Sequence, residues 1–232
     1  MNIWNANTKR EVLDSSGLSS YEEGDMGPMY GCQWRHFGAK YEGCNADYTE
    51  QGIDQLSECI NLIRNDPHSR RIIMTTFNPA QVNEGCLYPC HGISIQFYVE
   101  SLNNISGDNP ENNTISLCEN KLSCMMTQRS GDLFLGVPYN IASYALLVHM
   151  MCEIISNSGM KIVPGRLIIV LGDVHIYETH KDQATKQISR DPYNFPFLKF
   201  NKKVENIEDF KFENVELCEY NHHPGIKAEM IA

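Results

Sequence analysis

Apolar residues at Ile53, Leu56, Ile60 and Ile63 recur at spacings of three and four, which predicts an amphipathic helix over residues 53–64. The breaker Asn65-Asp66-Pro67 ends it. The β-branched and aromatic run Ile72-Ile73-Met74-Thr75-Thr76-Phe77 predicts a strand, stopped by Asn78-Pro79. Over residues 92–99 the pattern alternates, with Ile93, Ile95, Phe97 and Val99 on one face, as a half-buried strand requires. Residues 101–120 break this regularity. They are rich in Asn, Ser, Gly and Glu and read as a long polar loop leading to a second strand over 121–127. The strongest helix opens at Pro138, with Ile141, Tyr144, Ala145, Val148, Met151 and Ile155 at helical spacing. A buried strand follows at 167–171, then Gly172-Asp173 and a polar helix over about 175–189. Two short strands are expected near Phe197–Phe200 and Val215–Cys218. No repeat or linker divides the chain, so residues 1–232 read as a single domain carrying a 101–120 insert loop. The mixture of hairpin and helical connections predicts an α+β fold with one large mixed sheet flanked by helices.

The 232 residues are 42% hydrophobic and 21% charged, which suffices for a sizeable core. No apolar run is long enough to span a membrane. The start, Met1-Asn2-Ile3-Trp4-Asn5-Ala6-Asn7, lacks the basic-then-apolar order of a signal peptide. A soluble, cytoplasmic protein is therefore expected, in which Asn104-Ile105-Ser106 and Asn112-Asn113-Thr114 match glycosylation sequons by accident. The nine cysteines include no CxxC pair and no cysteine–histidine set with zinc-finger spacing. In a reducing compartment Cys59, Cys86, Cys124 and Cys152 read as small buried hydrophobes. With no ligand cluster and no Rossmann glycine pattern, no metal, flavin or nicotinamide site is expected. Lys+Arg total 19 against 29 Asp+Glu, a formal charge of −10, which argues against general nucleic-acid binding. A small anionic substrate then requires concentrated arginines, and Arg70-Arg71 and Arg129 are the candidates.

Cys90, in Tyr88-Pro89-Cys90-His91, precedes a β-rich run and could be an exposed thiol at a strand start. A thiol becomes a good nucleophile when positive charge stabilises its thiolate. Neighbours in a strand point to opposite faces, so His91 reads as a structural histidine, and an arginine such as Arg129 would serve electrostatically. Guanidinium groups converging on one dianion make a phosphate site. Arg70-Arg71 could equally be a solvated helix-to-strand turn. Gln128-Arg129-Ser130-Gly131-Asp132 instead gathers amide, guanidinium, hydroxyl and carboxylate at a strand end, where sites form.

Several strings then share one resemblance. The front half holds Ile3-Trp4, Gly27-Pro28-Met29-Tyr30-Gly31, Gln33-Trp34-Arg35-His36-Phe37-Gly38, Ser69-Arg70-Arg71-Ile72-Ile73-Met74 and Pro89-Cys90-His91. The back half holds Gln128-Arg129-Ser130-Gly131-Asp132, Gly136-Val137-Pro138-Tyr139-Asn140-Ile141-Ala142-Ser143-Tyr144, Gly172-Asp173-Val174-His175-Ile176-Tyr177 and Tyr220-Asn221-His222-His223-Pro224. In content and order, from residue 3 to the end, the set resembles the thymidylate synthase family.

The resemblance implies transfer and reduction of a one-carbon unit from 5,10-methylenetetrahydrofolate to dUMP, giving dTMP and dihydrofolate. By it Cys90 is the nucleophile that adds to carbon 6 of uracil, and Tyr30 assists removal of the carbon 5 proton. Gln128, Arg129 and Ser130 belong to the dUMP site, Arg129 and Ser130 at the phosphate. Arg70 and Arg71 would reach that phosphate from the other subunit of a homodimer. Asn140 reads the pyrimidine edge, since an amide both donates to a carbonyl and accepts from a ring N–H. His175 and Tyr177 hold the deoxyribose 3′-hydroxyl. Asp132 binds the folate pterin, Trp4, Leu135, Gly136 and Tyr139 wall its site, and Met230-Ile231-Ala232 matches a closing tail. Tyr139 stands where phenylalanine is common, which keeps the aromatic face.

Two departures stand out. The family carries a substantial segment before the Ile-Trp string, supplying a phosphate-binding arginine loop, a glutamate in a water network and part of the dimer sheet. The resemblance thus implies a chain shortened at its front. The insert at 101–120 is longer than the family's turn, at small cost for a surface loop. Two other readings stay open: a dUMP hydroxymethylase, and a non-catalytic dUMP-binding remnant.

Overall fold

Helix formation at the front of the chain follows capping and periodicity. In the computed structural model, which describes residues 4–101 and 120–231, the helix predicted at 53–64 is α3, Gln55–Asn65. The Asp54 side chain caps it by accepting the Ser57 N–H at 3.0 Å. Leu56, Cys59, Ile60 and Ile63 form its buried stripe. Two short helices precede it, α1 (Arg10–Ser15) and α2 (Gly31–His36). The long helix α4, Gly136–Asn157, buries Tyr144, Val148, Met151 and Ile155 as expected, whereas Ile141 is exposed.

Four strands form the main sheet in the order β1 (Ile73–Met74), β2 (Ser94–Glu100), β3 (Asn120–Asp132) and β4 (Ile162–His175). The first two pairings are antiparallel and β3–β4 is parallel, with α4 making the crossover that a parallel pair needs. The α+β fold with a mixed sheet flanked by helices is therefore as expected. β5 (Phe197–Phe200) and β6 (Val215–Cys218) pair with each other, apart from that sheet. α5 (Lys181–Ile188) lies between β4 and β5.

Four boundaries differ from the sequence pattern, one of them that of β3, which runs five residues past the expected 121–127 to Asp132. The 72–77 strand shrinks to two residues, because the Gln55 side-chain amide takes both the Thr75 N–H (3.0 Å) and the Thr75 carbonyl (2.9 Å) out of the ladder. β4 runs well beyond 167–171, since Asp173, Val174 and His175 pair with Ser130, Gly131 and Asp132. That extension takes the start of the predicted polar helix, which is left as a 3₁₀ turn at Glu178–His180 followed by α5. Nearly all of the polar 101–120 insert lies outside the described residues.

Pleating separates the two faces of the sheet. The row Met74, Ile95, Met126 and Ile169 faces α3 and α4, and the first three are at most 1% exposed. Each such side chain removed from water stabilises the fold by about 1.5–3 kcal/mol. One residue along, Ile73, Met125 and Ile168 form a row with Gln96 on the opposite face, and these three are 39–51% exposed. The strand expected to be buried at 167–171 is thus covered on one face only, with Val170 and Val174 also exposed.

Candidate functional site

Parallel strands aim the ends of their backbones into a crevice at their carboxyl edge, where loops can surround a ligand. The carboxyl ends of β3 and β4 and the first turns of α4 line such a crevice, a cavity of about 450 Å³. β3 contributes Gln128, Arg129, Ser130 and Asp132, and β4 contributes His175. Gly136, Tyr139, Asn140 and Ser143 come from α4, and Tyr177 follows β4. Trp4, Tyr30, Cys90, Met230 and Ile231 close the remaining sides. Of the residues expected at a site, Leu135 caps α4 beside the cavity without lining it. Arg70 and Arg71 do not line it either, and both are exposed on the turn between α3 and β1.

Cys90 precedes β2 by four residues, so the assumption that it sits at a strand start is corrected. Its segment is clamped between two others. The Cys90 carbonyl accepts the Arg129 N–H at 2.7 Å, and the Gly92 carbonyl accepts the Thr76 N–H at 2.8 Å. The Arg129 guanidinium bonds back to the Pro89 carbonyl (3.2 Å) and lies 5.2 Å from the Tyr88 ring centroid, a cation–π distance. One short stretch of backbone therefore positions both thiol and cation.

Tyr30 reaches the thiol from the other side. Its hydroxyl lies 3.4 Å from Cys90 Sγ and accepts the Cys90 N–H at 3.3 Å. Burial, and then the neighbouring thiol, push the phenol well above its ordinary range, so it is held protonated. The residue has φ 43° and ψ −102°, a conformation that costs a side-chain-bearing residue about 1–3 kcal/mol and marks functional sites. Buried amides keep its segment in place. Gln33 Nε2 donates to the Pro28 carbonyl (2.8 Å) and to Gln81 Oε1 (3.1 Å), while Asn78 Nδ2 donates to Gln81 Oε1 (2.8 Å). Nothing in the motifs marked this network as a support for the site, although Gln33 lies in one of them.

His91 also faces the cavity, because no strand at this point sends it to the opposite side from Cys90. Its ring stacks on Tyr30 (4.3 Å between centroids) and its Nδ1 is 3.0 Å from the Tyr144 hydroxyl. Burial pulls its pKa down to about 4, so it is neutral at pH 7 and supplies no charge to the thiol. The structural reading of His91 holds for this reason rather than for strand alternation. Between pH 6.5 and 4 the unfolded chain takes up a proton here that the folded chain refuses. Stability therefore rises with pH across that window and is lost on acidification, by about 3 kcal/mol at full protonation. Urea unfolding at several pH values should show this slope, reduced by close to one proton in His91→Gln. An unchanged slope in that variant contradicts the assignment.

Gly92 adopts φ +71°, and a Cβ there would lie 2.7 Å from the Tyr144 hydroxyl and 2.8 Å from Thr76 Cγ2. Gly92→Ala should therefore cost about 2–3 kcal/mol, read as a lower urea midpoint, and should disturb the His91–Tyr144 contact. A midpoint within error of the parent chain would contradict this packing.

Several cavity groups keep open valences. Asp132 Oδ1 accepts the Phe134 and Leu135 N–H groups at 3.0 and 3.3 Å, while buried Oδ2 has no partner among the described residues. Gln128 donates to the Ser130 carbonyl at 2.9 Å, leaving its buried Oε1 without a partner in the same sense. Buried polar groups usually find partners, so these atoms point to a polar ligand. Sequence patterns did not single out Leu87, which lines the cavity, or Tyr88, which also underlies Arg129. Among the described residues no group of three or more His, Cys, Asp or Glu could hold a metal ion.

A family model described as "Thymidylate synthase" matches residues 1–232. The chain is 45% identical to a thymidylate synthase of Saccharomyces cerevisiae over 98% of the chain and 70% of that protein. It is 47% identical to one of Homo sapiens over 98% of the chain and 65% of that protein. Against one of Herpesvirus ateles the identity is 45% over 99% of the chain and 71% of that protein. The chain thus spans about two thirds of the length of these relatives. A match along the whole chain, joined to a cavity that gathers thiol, phenol, guanidinium and amide, leads to one conclusion: the chain belongs to the thymidylate synthase family.

Proposed function

We propose that this chain acts as a thymidylate synthase, converting dUMP to dTMP with 5,10-methylenetetrahydrofolate as co-substrate. The observation that carries the reading is Cys90 in the cavity wall with the Tyr30 hydroxyl 3.4 Å from its sulfur and Arg129, Ser130, Asn140, His175 and Tyr177 around the same space. The folate supplies the one-carbon unit and the hydride. Cys90 Sγ adds to carbon 6 of the uracil, which places nucleophilic character on carbon 5. Tyr30, kept protonated by its surroundings, does not accept the carbon 5 proton itself but assists its departure to solvent by hydrogen bonding. Once the one-carbon unit is attached to carbon 5 and reduced by the folate's hydride, the sulfur leaves carbon 6 and Cys90 is regenerated. Arg129 and Ser130 take the phosphate, with Gln128 beside them, and Asn140 reads the uracil edge. His175 and Tyr177 take the 3′-hydroxyl.

The folate fits the remaining wall. The unpartnered Oδ2 of Asp132 suits the pterin's donor groups, with Trp4, Gly136 and Tyr139 as the surrounding wall and Leu135 behind them at the cap of α4. No observation favours hydroxymethylation. Tritium release from carbon 5 of dUMP, with the product identified, tests the reading. dTMP is expected, and hydroxymethyl-dUMP without dTMP would reject it.

The working unit is a homodimer of a single-domain chain. The open sheet face bearing Ile73, Met125, Ile168 and Val170 supports it, as does the exposure of Arg70 and Arg71 away from their own cavity. Across the interface the two arginines would complete the partner's phosphate site. If so, Arg71→Ala and Cys90→Ala chains, each weak alone, should recover activity when mixed as a heterodimer. No recovery would contradict shared sites. A cytoplasmic setting fits the eight unpaired cysteines among the described residues. No described helix is long and apolar enough to cross a membrane.

A further inference from the structure

His180 is only 1% exposed, yet it is a polar residue on the short turn Glu178–His180. Its Nε2 lies 2.8 Å from the Glu229 carbonyl, 49 residues away in the chain. A carbonyl oxygen only accepts, so Nε2 carries the proton and donates. Nδ1 is buried and has no partner among the described residues. The ring is therefore tied on one side only, to the backbone of the segment whose next two residues, Met230 and Ile231, line the cavity.

Two aromatic rings grip the same imidazole. Phe134, 5.6 Å away between centroids, lies in the turn whose N–H groups bond Asp132. Tyr177, 5.8 Å away and nearly perpendicular, lines the cavity and packs edge-on against His175 at 5.0 Å. One buried ring thus touches the turn beside the carboxylate, a tyrosine that lines the cavity, and the segment that leads into Met230 and Ile231 of the cavity wall. Packed contacts of this kind move together.

We propose that His180 is a positioning residue that holds the 229–231 segment over the cavity through the Glu229 carbonyl and, through Tyr177 and Phe134, ties that position to ligand occupancy. The coupling half rests on Tyr177 being a nucleotide contact, as in the function proposed above. The latch half stands on geometry alone. Because the bond is made to backbone, any residue at 229 preserves it, and the specificity lies in the imidazole. A glutamine amide extends to about the place of Nε2, whereas an asparagine amide stops near Nδ1.

The exposed Lys227 allows a test without turnover, because trypsin cuts after it only when the segment lifts. Cleavage of the full chain at Lys227 should be about fivefold faster in His180→Leu and His180→Asn than in the parent, with His180→Gln near the parent rate. dUMP should slow cleavage in the parent and in His180→Gln but not in the other two. Equal rates in all four free proteins would overturn the latch. Should the leucine variant fail to fold, the glutamine–asparagine contrast decides alone. Calorimetry separates the readings: absent dUMP binding counts against the nucleotide site, while the free-protein rates still judge the latch. If dUMP binds but protects every variant equally, the coupling is overturned.

Discussion

Cys90→Ala is expected to lower turnover by about 10⁵-fold while dUMP still binds. Losing a nucleophile that makes a covalent bond removes the reaction path itself, and such losses fall in this range. Binding should survive because the residues proposed to contact phosphate, base and sugar are Arg129, Asn140, His175 and Tyr177, which line the cavity from β3, α4, β4 and the turn after β4. The fold should survive as well. Cys90 is only partly buried, and its segment is held by backbone bonds from Arg129 and Thr76 rather than by the sulfur. Steady-state rates and calorimetric titration with dUMP check both halves. A variant retaining more than a few per cent of activity would show that another group starts the reaction. Tyr30→Phe makes a milder companion, removing the hydroxyl 3.4 Å from the sulfur without removing the ring on which His91 stacks.

Asn140→Asp is expected to cut kcat/KM for dUMP by about 10³-fold or more and to shift preference toward dCMP. A carboxamide presents one donor and one acceptor, matching the carbonyl and N–H of uracil. A carboxylate presents acceptors only and meets the uracil carbonyl with a second acceptor. Sites built to hydrogen-bond a polar edge reject the mismatched base by factors of this size, because buried partners are left unpaired. Asn140 sits in the first turns of α4, where the helix backbone fixes its direction, so the change alters chemistry more than shape. Competition assays with the two nucleotides measure the ratio directly. An unchanged ratio would remove Asn140 from base recognition.

The legible part of the molecule was the part that periodicity or motif encodes. The stripe Leu56, Ile60, Ile63 and the alternation Ile95, Phe97, Val99 gave α3 and β2 to within two residues. Short strands 197–200 and 215–218 appeared where their apolar residues lie, although nothing in them told that they pair with each other. What could not be read was set by contacts distant in sequence. β1 stops after Met74 because the Gln55 amide, 20 residues away in the chain, takes the N–H and carbonyl of Thr75. β4 continues past Gly172 because Asp173, Val174 and His175 keep pairing with β3, and glycine permits the close approach: a Cβ there would lie 2.8 Å from the Arg129 carbonyl oxygen. Among site residues, motif strings yielded nearly all of the cavity wall. The strain at Tyr30, the neutral state of His91 and the Gln33–Gln81–Asn78 support follow from three-dimensional packing and carry no pattern in the chain.

The most direct test of the central claim is covalent trapping at Cys90. The chain, incubated with 5-fluoro-dUMP and 5,10-methylenetetrahydrofolate, is denatured and its intact mass and peptide map are recorded. Fluorine at carbon 5 cannot leave as the proton would, so a sulfur bonded to carbon 6 stays bonded. A stable ternary adduct is expected on the peptide containing Cys90 and absent from Cys90→Ala. Reversible nucleotide binding with no adduct, or an adduct on another cysteine, would contradict it.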